Sequence, residues 1–213
     1  MKTDDLVKML ATGAGSVDPR AVGHRYMIAI GAGALGAALL MTTLLGVRHD
    51  IGEAARLPMF WGKLVYVLCL AAAGVLALSR IARPGSSFAW VAPALVMPLL
   101  LMWLLGLFEL STAGAASRRT LLFGSTWRSC PLLIALLSAP SFVAFLWVIK
   151  GLAPTRLRVA GATAGFASGA IAASVYALHC PEMGAPFLGL WYVLGMLIPA
   201  AAGAALGPRL LRW

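Results

Sequence analysis

Apolar residues along the chain gather into six blocks, 26–47, 60–79, 88–110, 131–149, 159–178 and 186–206, separated by short polar runs. Each block approaches the roughly 20 residues that a helix needs to cross a hydrocarbon core. The pattern predicts an all-α membrane protein: a six-transmembrane-helix bundle over 26–213, preceded by a polar head over 1–25. Pro93 and Pro98 predict a kink in the third span, and Pro140 an interruption of the fourth. Membrane helices tolerate such prolines when neighbours satisfy the freed carbonyls. Gly161, Gly165 and Gly169, continued by Ala173 and Ala177, give the fifth span a smooth face for close helix packing, and Gly31, Gly33 and Gly36 do the same for the first. Ser111–Ser129, with Arg118 and Arg119 ahead of Leu121, Leu122 and Phe123, predicts an interfacial helix rather than a span. Lys63, near the entrance of the second span, is expected to reach back to the headgroups. Cys69, at the middle of that span, is expected to be a small packing residue. Trp191 and Tyr192 are expected near one membrane interface, and so is Glu109.

The head is polar and mixed in charge, with no apolar centre followed by a small-residue cleavage site, so no cleavable signal peptide is expected. Thr3, Asp4 and Asp5 suit a helix N-terminus, where side-chain oxygens and negative charge satisfy free amides. Leu6, Val7, Met9 and Leu10 then supply an apolar stripe, which Gly13, Gly15 and Pro19 end. A helix this short is marginal alone in water and needs something to pack on. Two readings stand. The helix lies on the membrane surface, or Asp4, Asp5, Leu6, Met9 and Leu10 dock it into a groove on a soluble partner.

Composition sharpens the class. At 61% hydrophobic and 11% charged, the chain cannot be an ordinary soluble domain. The net charge of +10 suggests nucleic acid at first sight, but Lys and Arg accumulate in cytoplasmic loops of membrane proteins, so direct nucleic-acid binding is not expected. Six spans put both termini on one side. Placing the head, the loops near 80 and 150 and the tail there gathers eleven of the 17 cations and leaves six opposite. The bias predicts both termini in the cytoplasm, although Arg118, Arg119 and Arg128 run against it.

Little catalytic chemistry is visible. The seven acidic residues avoid mid-bilayer positions, and neither a phosphate-binding loop nor an HExxH motif occurs, so an enzyme is not expected. What remains is a motif that occurs twice, Ser129-Cys130-Pro131 and His179-Cys180-Pro181. Two blocks separate the thiols, which places both on one side, opposite the termini, where disulfides persist. Three readings are open. The pair is a permanent structural disulfide; or it is a sensor, oxidised or transiently binding a soft metal ion with His179, Glu182 and His49 to hand; or it serves a thiol–disulfide enzyme, which the lack of a CxxC pair disfavours. Arg128 either lowers the pKa of Cys130 or anchors the helix end among phosphates.

Several of these stretches carry a resemblance: Met1–Leu6 (MKTDDL), Thr126–Pro131 (TWRSCP), Leu152–Thr155 (LAPT), Tyr176–Glu182 (YALHCPE), Pro186-Phe187, Trp191-Tyr192 and Arg209–Trp213 (RLLRW). Together they resemble the NrsF family of integral-membrane anti-sigma factors. The resemblance implies a multi-pass protein of the bacterial inner membrane that holds an extracytoplasmic-function sigma factor inactive at the cytoplasmic face. It also implies that outward-facing Cys130 and Cys180 are needed to respond to metal or oxidant stress, and that the head contacts the sigma factor. The rival class is a structural or accessory inner-membrane protein with a permanent disulfide.

Overall fold

The computed structural model describes residues 3–13, 19–81 and 90–212, and every regular element among them is helical. In chain order these are α1 (Thr3–Gly13), α2 (Pro19–Leu44), α3 (Ile51–Ala54), α4 (Pro58–Ile81), α5 (Val91–Thr112), α6 (Ala115–Phe123), α7 (Cys130–Leu137), α8 (Ala139–Lys150) and α9 (Leu157–Tyr176). The short α10 (Ala185–Phe187) continues through a π-helical turn, Leu188–Tyr192, into α11 (Val193–Leu210). Five helical stretches are long and apolar enough to cross a membrane, and α7 with α8 makes a sixth if the pair is one span.

The break falls where the sequence places it. α7 and α8 meet at a 45° bend across Ser138, and Pro140, in the first turn of α8, supplies no amide to carry α7 onward. α2 fits against the bend through glycines: a side chain at Gly33 would strike Ser141, and one at Gly36 would strike Pro140. Gly31 faces open space and takes no part. α6 occupies the stretch predicted to be interfacial, with Arg118 and Arg119 exposed. Glu109 accepts a hydrogen bond from the Ala185 amide at 3.0 Å and so satisfies one free donor at the start of α10.

α9 is the axis of the bundle. Ala160, Ala164, Ala167, Ala170, Ala172 and Ala173 have no exposed surface, and α2, α4, α7, α8 and α11 all pack on it. Its small residues leave few side-chain atoms to hold the helices apart. A Cβ at Gly161 would collide with the Gly203 carbonyl, one at Gly203 with the Gly161 carbonyl, and one at Gly165 with the Pro199 carbonyl. The backbones of α9 and α11 therefore touch, as the glycine ladder predicts. α5 lies at the other extreme, on the outside, with Leu100, Leu104, Leu107 and Phe108 exposed in the way a lipid-facing helix requires.

Two ends of the bundle follow. At one, Tyr26 of α2 donates to the Leu78 carbonyl at 3.5 Å, Arg25 and Lys150 line the same hollow, and Gly207 packs over Leu157. At the other lie residues 45–57, 113–130 and 177–184, joined by bonds such as Arg48 N–H to the Leu178 carbonyl at 3.4 Å. The two cysteines share that second end, as an even number of crossings requires. The loop 82–89, with Arg83, falls outside the described residues, as do Gly15 and Trp213.

Three expectations change. Lys63 is not turned to headgroups but is 1% exposed inside the bundle. Tyr192 is fully buried instead of lying at an interface. Cys69 is exposed on the outside of α4 rather than buried in the bundle.

Candidate functional site

Each cysteine is placed by a helix end and a proline. Cys130 opens α7, its amide bonded to the Thr126 carbonyl at 2.9 Å, and Pro131 takes the first-turn position where a missing N–H costs nothing. Cys180 closes the turn after α9, its amide bonded to the Tyr176 carbonyl at 3.0 Å, and Pro181 stops the helix there. Both thiols are free, neither has exposed surface, and the two lie close enough to interact electrostatically.

The pocket around them is aromatic and polar. Tyr176 and Tyr192, ring centroids 5.8 Å apart, are both buried beside the pair, and the Tyr192 hydroxyl has no hydrogen-bond partner there. Thr126 Oγ1 lies 3.9 Å from Cys180 Sγ. Tyr192 reaches this position at the end of the π-helical turn, a local widening often found at functional sites. The preceding residue, Trp191, turns the other way and donates its Nε1–H to the Leu122 carbonyl at 2.8 Å, stacking with Trp127 at 5.1 Å.

The cation of the site is Lys63. Its ammonium donates to the carbonyls of Cys180 at 2.7 Å and Glu182 at 3.0 Å, and lies 5.4 Å from the centre of the Tyr192 ring. A buried charge costs several kcal/mol unless other groups replace its water; two carbonyls, an aromatic face and an ionisable sulfur do so here. The Cys180 thiol is held below the ordinary thiol range, first by its neighbour Cys130 and then by the Lys63 charge, against burial, which pushes it up. Arg128, the cation that adjacency in sequence suggests, lies instead over the Trp127 ring at 4.9 Å.

A second set of bonds holds the 180–182 segment from outside. Glu182 accepts from the Ser125 amide and from Ser125 Oγ–H, each at 2.7 Å. Its carboxylate occupies the space a side chain at Gly124 would need, and Gly124 has φ +51°. His179 Nδ1 meets the Gly46 carbonyl at 2.8 Å. Arg48 and Asp50 pair at 2.6 Å, which raises the Arg48 pKa and lowers that of Asp50 to about 2.

The structure thus brings Cys130 and Cys180 together and gives the other predicted ligands different work. His179 is occupied at Gly46, Glu182 at Ser125, and His49 is exposed. Among the described residues no group of three or more His, Cys, Asp and Glu is placed to hold a metal ion. A soft ion would meet two sulfurs, not an assembled Cys2His set. In the head, Asp4, Asp5, Val7 and Met9 of α1 are exposed, whereas the side chains of Leu6 and Leu10 fall outside what the structure describes. The residues that sequence reasoning missed are Lys63, Tyr176, Tyr192 and Thr126. Lys63 alone carried a usable signal, because an ionisable residue inside a span is by default a functional one.

A family model described as negative regulator of sigma F, NrsF, matches residues 10–213. The probable anti-sigma-F factor NrsF of Azospira oryzae is 57% identical over 213 residues, with 100% of each chain covered. The anti-sigma-F factor NrsF of Caulobacter vibrioides is 39% identical over 216 residues, again with 100% of each chain covered. No solved structure matches the chain. A match that runs through both cysteine motifs and nearly the whole length shows that the chain belongs to the NrsF family.

Proposed function

We propose that this protein is an anti-sigma factor of the bacterial inner membrane, a regulator and not an enzyme. In this reading it holds an extracytoplasmic-function sigma factor inactive at the cytoplasmic face and releases it when the thiols on the outer face are modified. The names of the relatives support the sigma-factor partner. The observation that carries the sensing step is the free, fully buried pair Cys130 and Cys180, brought together at the bundle end opposite the start of α2.

The chemistry needs only what the pair offers. An outside oxidant of the peroxide class takes two electrons and the one remaining S–H proton from the thiol–thiolate pair, leaving an S–S bond, with water and hydroxide as the reduced products. A soft metal ion instead displaces the remaining thiol proton and binds both sulfurs. Either event changes the contact between the sulfurs and neutralises the negative charge facing Lys63, and so alters the junction of α7 with the end of α9. α9 packs on α11 backbone to backbone, so a shift at one end is carried to the other, from which the head extends. The modified state must favour release, because a ligand shifts an equilibrium only through its differential affinity for the two states. The exposed acidic and apolar residues of α1 suit the contact with the partner.

Cys130→Ser with Cys180→Ser should leave sigma-factor capture intact and abolish the response to oxidant and to soft metal, read from a reporter of the sigma factor. Deleting residues 1–25 should abolish capture by the purified chain. A double-serine variant that responds normally removes the thiols from the mechanism.

A further inference from the structure

We infer that Lys63 is the positioning residue of the thiol pair: it clamps the Cys180–Glu182 backbone and makes Cys180, rather than Cys130, the sulfur that reacts first. The inference gives chemical detail to the sensing reading above and rests on it for its biological meaning.

Geometry carries it. Lys63 spends two of its three N–H donors on carbonyls that bracket Pro181, one of them the carbonyl of Cys180 itself. The cation is therefore fixed on the Cys180 side of the pair. At 1% exposure its charge is not screened by water, and acts on the nearest group able to become an anion. Cys180 is also the sulfur that the Thr126 hydroxyl approaches, at 3.9 Å. The titratable and charged groups around Cys180 come from five elements: Lys63 of α4, Cys130 of α7, Tyr176 of α9, Tyr192 of the π-helical turn and Arg48 of the segment before α3. Glu182, the nearby carboxylate, is turned away to Ser125. One feature opposes the assignment, since Cys130 lies at the start of α7, where the helix dipole favours a thiolate. The order of reaction decides between the two.

The test uses the full chain purified in detergent, with Cys69→Ser to remove the exposed thiol. Substoichiometric iodoacetamide is applied across about pH 5 to 9, a span that brackets the range of perturbed and free thiols, and peptide mass spectrometry reads carbamidomethyl at each cysteine. Cys180 should be modified about tenfold ahead of Cys130 near neutral pH. Lys63→Met, which keeps the length and removes the charge, should slow Cys180 and move its profile to higher pH; Lys63→Arg should hold the profile in place. If Lys63 served structure alone, Lys63→Met would open the segment, speed both sulfurs and leave the profile where it was. Modification of Cys130 first in the chain with Lys63 intact overturns the inference, as does an unmoved profile in Lys63→Met. Should Lys63→Met not fold, the order of reaction with Lys63 intact still decides. No sigma factor enters this assay, so its failure leaves the double-serine test untouched, and failure of that test leaves this chemistry standing.

Discussion

Gly124 shows how much of the site depends on single backbone positions. Its φ of +51° lies in the region that side chains disfavour, and the Glu182 carboxylate fills the volume a Cβ would take. Gly124→Ala should therefore cost about 1–3 kcal/mol, the range for a residue forced into a sparsely populated conformation. It should also displace Glu182 from Ser125. Thermal unfolding in detergent measures the first effect, and faster labelling of Cys180 the second. The cysteines themselves were legible in the sequence, because a motif repeated across two apolar blocks has a parity that does not depend on the packing. Lys63 was not. Whether a lysine near a span entrance turns out to the headgroups or in to the bundle depends on what waits inside, and its partner carbonyls lie 117 and 119 residues away. Tyr176 and Tyr192 were hidden for the same reason. An aromatic near a span end reads as an interfacial anchor until the fold supplies a buried sulfur beside it.

Helices carry a different kind of information. The glycine ladder of α9 and the proline break between α7 and α8 were both readable, since a missing Cβ and a missing amide act within the segment that contains them. The π-helical turn Leu188–Tyr192 was not readable, because no proline or glycine pattern dictates it, and it changes which side chain faces the core. The ladder invites a quantitative test. Gly165→Ala drives a methyl into the Pro199 carbonyl, backbone against backbone, where no flexible side chain can yield. Overpacking of this kind costs typically about 1–3 kcal/mol, and Gly165→Ala should fall at or above the upper end. Gly62→Ala, on α4 with nothing within 4 Å, is the matched control and should gain up to about 1 kcal/mol from helix propensity. Equal melting temperatures for the two variants would show that the α9–α11 contact is looser than the structure has it.

At the scale of the molecule, everything proposed for signalling depends on which end of the bundle faces which compartment. The structure fixes the relation between ends: residues 45–57, 113–130 and 177–184 at one, and the start of α2, the α8–α9 connection and the end of α11 at the other. Burial of Lys63 sharpens the charge argument, because a lysine sealed inside the bundle does not answer to the headgroups. Of the six cations counted on the thiol side, five remain, against eleven on the side of the termini. The asymmetry favours the termini inside, since positive loops stay in the cytoplasm. Labelling positions of known exposure test this without disturbing the site. With the native cysteines replaced by serine, Gly52→Cys marks the thiol end and Thr155→Cys the opposite end, both at exposed loop or short-helix positions. A membrane-impermeant maleimide, applied to cells whose outer barrier alone has been opened, should modify Gly52→Cys at once and Thr155→Cys only after the inner membrane is permeabilised. The reverse order would put Cys130 and Cys180 in the reducing compartment. There, oxidation of the pair would no longer report conditions outside, and the route from outer thiols to inner head would have no starting point.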